Sequence, residues 1–116
     1  MGTAKQTGLV QGTLDMLILK TLALEPMHGY GISTRIEQVS KGVFKVNAGS
    51  LFPAFRRLER DGLIKGEWEV TENNRRAKWY SLTPRGRATL RRETKDWEVQ
   101  TAAIARILQA SLGELQ

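Results

Sequence analysis

The 116-residue chain predicts a mainly α-helical fold with one small β-hairpin. Three observations carry that expectation. Apolar residues recur at helical spacing in the stretches 12–26, 27–42, 48–61 and 84–112. Two short runs with β-forming residues, 63–70 and 78–83, flank a polar segment at 71–77. Breaking residues fall at the joints: Pro26, Gly42, the Asp61-Gly62 pair and Pro84.

The first helix is expected over "GTLDMLILKTLALEP" (12–26), capped by Thr13 and ended by Pro26. Met16 stands where a capping-box acid would be. Leu14, Leu17, Ile18 and Leu22 form its stripe, with Thr21 as a polar member; Leu19 and Leu24 widen it. So broad a face calls for burial on more than one side. The second helix lies in 27–42, with Ile32, Ile36 and Val39 on one face and Gly42 as its stop. "VFKV" (43–46) reads as a short connector with β character.

Asn47 is a good N-cap for a third helix, 48–61. Leu51, Phe55 and Leu58 stand at i, i+4 and i+7 and face a core. About 100° per residue puts Gly49, Pro53, Arg56 and Arg60 opposite them, flanked by Ser50 and Arg57. Pro53 leaves the start open. A helix from Ala48 loses one hydrogen bond at the Gly49 carbonyl; a helix from Ser50 puts the proline near the first turn at smaller cost.

In the hairpin, Ile64, Trp68 and Val70 favour one strand and Trp79, Tyr80 and Leu82 the other. "TENNRRA" (71–77) makes a basic tip. Thr83 then caps a long last helix, with Pro84 at its first position. Leu90, Trp97, Ile104 and Ser111 are spaced by seven; Leu108 and Leu115 extend the stripe. The pattern predicts packing between two chains, with Leu90, Trp97, Ile104 and Leu108 at the seam, though it is too irregular for a strict coiled coil.

Helix, helix, helix, hairpin, long helix is the order of a winged helix-turn-helix. Residues 1–83 form that module, with 1–8 frayed, and 84–116 form a dimerisation helix. In such a module a later helix enters the DNA major groove and the earlier ones support it. Arg56 and Arg60 then point at base edges, and Gly49 and Ser50 permit close backbone approach. Arg75, Arg76 and Lys78 on the hairpin reach phosphates.

Charge agrees with a polyanionic partner. The net charge is +6 and the pI about 10.1. Residues 73–87 hold Arg75, Arg76, Lys78, Arg85 and Arg87 and no acid. That excess fits nucleic acid, or an anionic membrane surface. Hydrophobic residues make up 41% of the chain, enough for a small core.

Other classes are disfavoured. With no cysteine, disulfides and Cys-ligated zinc are excluded, and the chain suits a reducing cytoplasm. His28, the lone histidine, has no second ligand at metal spacing and reads as structural or solvent-facing. "HGYGIS" contains G-x-G but no preceding strand and no third glycine, so no dinucleotide site is expected. No nucleophile–base set is visible, so neither an enzyme nor a cofactor or metal is expected. No apolar run reaches membrane-spanning length, and "MGTAKQTGLVQG" lacks a secretory core. Gly2 suggests a myristoylation start, but Gln6 stands where Ser or Thr is wanted.

"MHGYGIS" (27–33), "GSLFPAFRRLERDGLIKGEW" (49–68) and "RRAKWYSLTPRGR" (75–87) resemble, in order and spacing, the signatures of the PadR-type transcriptional regulators. The resemblance covers residues 12–112 and fits the subtype with one short C-terminal helix. It implies a DNA-binding dimer joined mainly through the last helix, usually a repressor released by an effector. The matching positions are Tyr30, Ser50, Phe52, Pro53, Arg57, Arg75, Arg76 and Lys78. With Asn47, Gly49, Arg56 and Arg60 they form the expected DNA-facing set. Gly31 replaces a usual glutamate, Phe52 a tyrosine and Phe55 a leucine. The first two departures bear on which operator is read. Tyr30 packs on the first helix, contacts a phosphate, or does both. Trp97 is an interface anchor or, as the resemblance implies, a stacking surface for a small flat aromatic effector, lined also by Leu9, Val10 and Met16. A different class stays open: a winged module that binds protein rather than DNA, for which the uncancelled charge of 73–87 has no use.

Overall fold

The computed structural model describes residues 12–115. Its helices are α1 (Thr13–Leu24), α2 (Gly29–Val39), α3 (Ala48–Arg60) and α4 (Pro84–Gln109). The strands are β1 (Met27–His28), β2 (Ile64–Val70) and β3 (Arg76–Leu82), and a short 3-10 turn covers Leu112–Leu115. The strands form one antiparallel sheet in the order β1-β3-β2. The winged-helix expectation holds, with one strand more than the sequence revealed.

α1 begins one residue away from its expected cap. Gly12 is the N-cap and Thr13 is the first helical residue, buried. Ile18, Leu19, Thr21 and Leu22 are buried, as the broad stripe predicts. Thr21 is tolerated there because its hydroxyl donates to the Leu17 carbonyl at 2.8 Å. Leu24 does not join them; it is exposed. Met27 and His28 pair with Tyr80 and Trp79 of β3, so they leave the expected second helix.

On α2, Ile32 and Ile36 are buried, but Val39 is 69% exposed because the helix ends there. Lys41, with φ 56°, takes the left-handed position, and Gly42 N–H closes the turn onto the Glu37 carbonyl at 2.8 Å. Residues 43–46 form no strand; Phe44 and Val46 pack against the core.

α3 starts at Ala48, the first of the two alternatives. Asn47 caps it, its Oδ1 accepting from Ser50 N–H at 2.9 Å. Pro53 therefore sits inside the helix and withholds a donor from the Gly49 carbonyl. Leu51, Ala54, Phe55 and Leu58 are buried against α1, α2 and the sheet. Gly62, with φ 75°, ends it, and Leu63 N–H reaches back to the Leu58 carbonyl at 2.9 Å.

One joint links this helix to α4. Thr83 Oγ1 accepts from Gly86 N–H at 2.9 Å, capping α4. The same hydroxyl lies 2.7 Å from the Gly62 carbonyl and 3.0 Å from that of Leu63, to which it can donate. Thr83 N–H also donates to the Leu63 carbonyl, at 3.2 Å. Gly86 is buried, and any Cβ there would overlap the Leu63 carbonyl oxygen. α4 therefore starts in van der Waals contact with the turn that ends α3. One turn later Leu90 is buried beside α1, inside its own chain. It is thus withdrawn from the seam where the spacing by seven had put it. The helix, about 39 Å long in all, runs beside α1 as far as Gln100 and projects beyond it.

Gly86→Ala is expected to lower stability by about 3 kcal/mol, a fall in Tm of about 15 °C. Thr83→Ala should cost about 2 kcal/mol through the lost cap and its carbonyl contacts. Thermal and urea unfolding followed by circular dichroism checks both; a Gly86→Ala protein as stable as the parent would mean the joint yields freely.

Candidate nucleic-acid interface

Strand alternation gives the hairpin two unlike faces. The register pairs Gly66 with Tyr80, Trp68 with Lys78 and Val70 with Arg76. These six share one face. Lys65 with Ser81, Glu67 with Trp79 and Glu69 with Ala77 share the other. The acids of the strands thus lie behind, and the cations Arg76 and Lys78 in front. Only Arg75 belongs to the tip; Arg76 and Lys78, expected there or just beyond it, are both in β3.

The front face looks across a cleft of about 400 Å³ at α3 and the start of α2. His28, Tyr30, Phe52, Arg56, Glu59, Trp68, Arg76, Lys78 and Tyr80 contribute to its walls. Tyr30 is 79% exposed, so the packing alternative for it falls away. Phe52 turns edge-on to Phe55, ring centroids 5.7 Å apart, and keeps its other side open to the cleft. Asn47, Gly49 and Ser50 are exposed at the α3 N-terminus, with the Asn47 side chain engaged as the cap; Pro53 is half-buried.

The cations divide into two groups. Lys78 Nζ lies 2.9 Å from Glu59 Oε1, both side chains largely buried. This pair spans Gly66, where a Cβ would come within 2.5 Å of Lys78 Cε and 2.8 Å of Glu59 Oε2. A side chain there would displace the ends of the pair and crowd the Tyr80 ring at 3.2 Å. Arg57 Nη2 bonds Asp15 Oδ1 at 2.7 Å, tying α3 to α1, and Arg60 bonds neighbouring Asp61 at 3.1 Å. Arg56, Arg75 and Arg76 make no ion pair with any described residue. The Arg76 guanidinium instead lies over the Trp68 ring, 4.7 Å from its centroid. Sequence reasoning takes Glu59 as neutralising part of the helix charge and Trp68 as a strand former, and places neither in the site. The alternation of Gly66, Trp68 and Val70 was the available signal for Trp68.

Burial, and then the Glu59 carboxylate, push the Tyr80 phenol above its ordinary 10.0, with Arg56 pulling the other way. His28 meets Trp79 edge-on at 4.6 Å, and among the described residues its Nε2 has no hydrogen-bond partner, lying 3.9 Å from Glu69. Among the described residues no cluster of His, Asp or Glu could hold a metal ion.

Elsewhere, Met16 and Trp97 line one groove between α1 and α4, with Gly12, Thr13, Glu93, Asp96 and Gln100. Leu9 and Val10, expected beside them, lie outside the described residues. Ile104, Ile107 and Leu108 are exposed on the outer part of α4, and Leu112 on the 3-10 turn that follows it. No helix among the described residues is long and apolar enough to cross a membrane.

Residues 18–92 match the model of the transcriptional regulator PadR-like family. Transcriptional regulator Rv3488 of Mycobacterium tuberculosis is 33% identical over 81 residues, 70% of this chain and 72% of that protein. A solved PadR family transcriptional regulator from Eggerthella lenta is 31% identical, with TM-score 0.76 over 87% of this chain and 86% of that one. A transcriptional regulator from Clostridium thermocellum is 28% identical, with TM-score 0.79 over 85% and 96%.

Tyr80 gives the site a pH signature. A raised phenol pKa means the fold prefers the neutral form. Its stabilisation is whole below the unfolded-state value and is lost as pH climbs through the folded one. Urea midpoints should therefore fall more between about pH 9 and about pH 11 for the parent than for Tyr80→Phe. Equal falls would show that the phenol's surroundings do not resist its ionisation.

Proposed function

The chain belongs to the transcriptional regulator PadR-like family, and we propose that within it this protein is a dimeric repressor reading an inverted-repeat operator. The observation that carries this reading is one cationic cleft: Arg56 on α3 and Arg76 on the hairpin line it together, neither in an ion pair with a described residue, and Arg75 lies next to Arg76 at the tip. A rigid helix presents Arg56 and Arg60 to base edges, from an N-terminus where Gly49, Ser50, Phe52 and Pro53 allow close approach. Tyr30, Arg75 and Arg76 meet phosphates, and Arg57 joins them from its tie to Asp15. Residues 1–83 are the reading unit and 84–116 the dimerisation arm, joined through Gly86 and Leu90.

A two-fold pair reads half-sites about 34–36 Å apart, one turn of duplex, or a multiple of that. Trp97, Ile104 and Leu108 supply the seam. A small aromatic effector seated by Trp97 and Met16 releases the operator. The protein acts by binding, in the cytoplasm, and takes no cofactor.

Anisotropy titration of the duplex upstream of its own gene should give affinity falling steeply with salt. Arg75→Ala with Arg76→Ala should weaken binding to operator and random DNA alike and reduce the salt slope by about 2; Arg56→Ala should relax specificity. Flat salt dependence, or a wing variant of full affinity, overturns the reading. Ile104→Asp with Leu108→Asp should turn a dimer into a monomer in sedimentation velocity; an unchanged dimer would put the seam elsewhere.

A further inference from the structure

Trp68 is a large apolar side chain left 58% exposed at the mouth of the cleft between α3 and the hairpin. It is held there rather than loose. Arg76 lies over its ring, and Lys78 Nζ is 5.7 Å from the ring centroid. Its Nε1–H makes no hydrogen bond within the described chain. Exposed Tyr30 and half-open Phe52 line the same cleft, as does Arg56. The floor itself is close to neutral, because Glu59 is cancelled by Lys78 over Gly66.

An apolar protein surface is a poor cover for this indole. Burying Trp68 against one would also bury unpaired Arg56 and Arg76, and unpaired buried charges are costly. One nucleic-acid strand satisfies both requirements. Its phosphate matches the Arg76 guanidinium, its base edges meet Arg56, and its deoxyribose carbons offer an apolar surface to the ring. The acids Glu67 and Glu69 lie on the far face and do not oppose it.

We infer that Trp68 is a non-ionic DNA-contact residue: its ring packs on the deoxyribose of one backbone strand seated in the cleft, while Arg76 takes the adjacent phosphate. This rests on the DNA-reading function above and adds a contact that charge counting does not reveal. Neutral and ionic contacts separate by their salt dependence. Removing an ionic phosphate contact lowers the slope of log affinity against log salt by about 1, whereas removing a neutral contact shifts the line without tilting it.

The experiment uses the full chain, a duplex recovered by selection from random DNA, and an unselected duplex of equal length. Affinities are measured by anisotropy at several KCl concentrations for the parent, Trp68→Ala, Trp68→Phe and Arg76→Ala, each shown folded by circular dichroism. Trp68→Ala should weaken binding to both duplexes about tenfold with an unchanged slope, Trp68→Phe should retain most of the affinity, and Arg76→Ala should flatten the slope by about 1. If the parent binds and Trp68→Ala binds equally well, the inference falls and DNA reading survives. A slope lowered by about 1 in Trp68→Ala would mean the ring acts only by holding Arg76, which also overturns it. No binding by the parent at any salt removes both readings together.

Discussion

The carbonyl of Leu63 is where the architecture converges. It receives the N–H of Thr83, stands 3.0 Å from the Thr83 hydroxyl, and touches the backbone of Gly86 closely enough to forbid a side chain. Leu63 is also the residue whose N–H closes the end of α3. One residue therefore terminates α3, precedes β2 and receives the first turn of α4. Local hydrogen bonding sets how these elements meet, and the buried cluster around Phe55, Ile18 and Ile32 fills the space they enclose. A side chain at position 86 would push them apart, which is why the first turn of α4 carries a glycine despite its poor helix propensity.

The hairpin shows how a simple period-two rule produces polarity. Acids at Glu67 and Glu69 and cations at Arg76 and Lys78 are close in sequence and opposite in space. Net charge alone would have blurred them together. The Glu59–Lys78 pair then removes one cation from the front and braces β3 against α3, over the small Gly66. Arg56 and Arg76 remain unpaired and flank an aromatic cleft.

Much of this was legible in the sequence where local rules decide. Asn47 and Thr83 cap the helices they were expected to cap, because their oxygens act on residues three positions away. The buried faces of α1, α2 and α3 follow from 3.6-residue spacing. What escaped depends on distant partners. Two-residue β1 exists only because β3 lies alongside it, and two residues carry no period of their own. Leu90 fits the spacing of a seam, yet spacing says that a residue is covered, not by which chain; α1 covers it. Lys78 counts as a free cation until Glu59, nineteen residues earlier, is seen beside it. At Thr13 the cap shifted by one residue because Gly12 adopts the left-handed conformation.

The close seat of Gly86 also has a mechanical meaning. With no slack between the α4 backbone and the end of α3, the long helix behaves as a lever fixed to the reading head. Over its length of about 39 Å, a tilt of about 5° at one end displaces the other by about 3 Å. A change of angle at the far end is therefore carried to the winged module rather than absorbed at the joint.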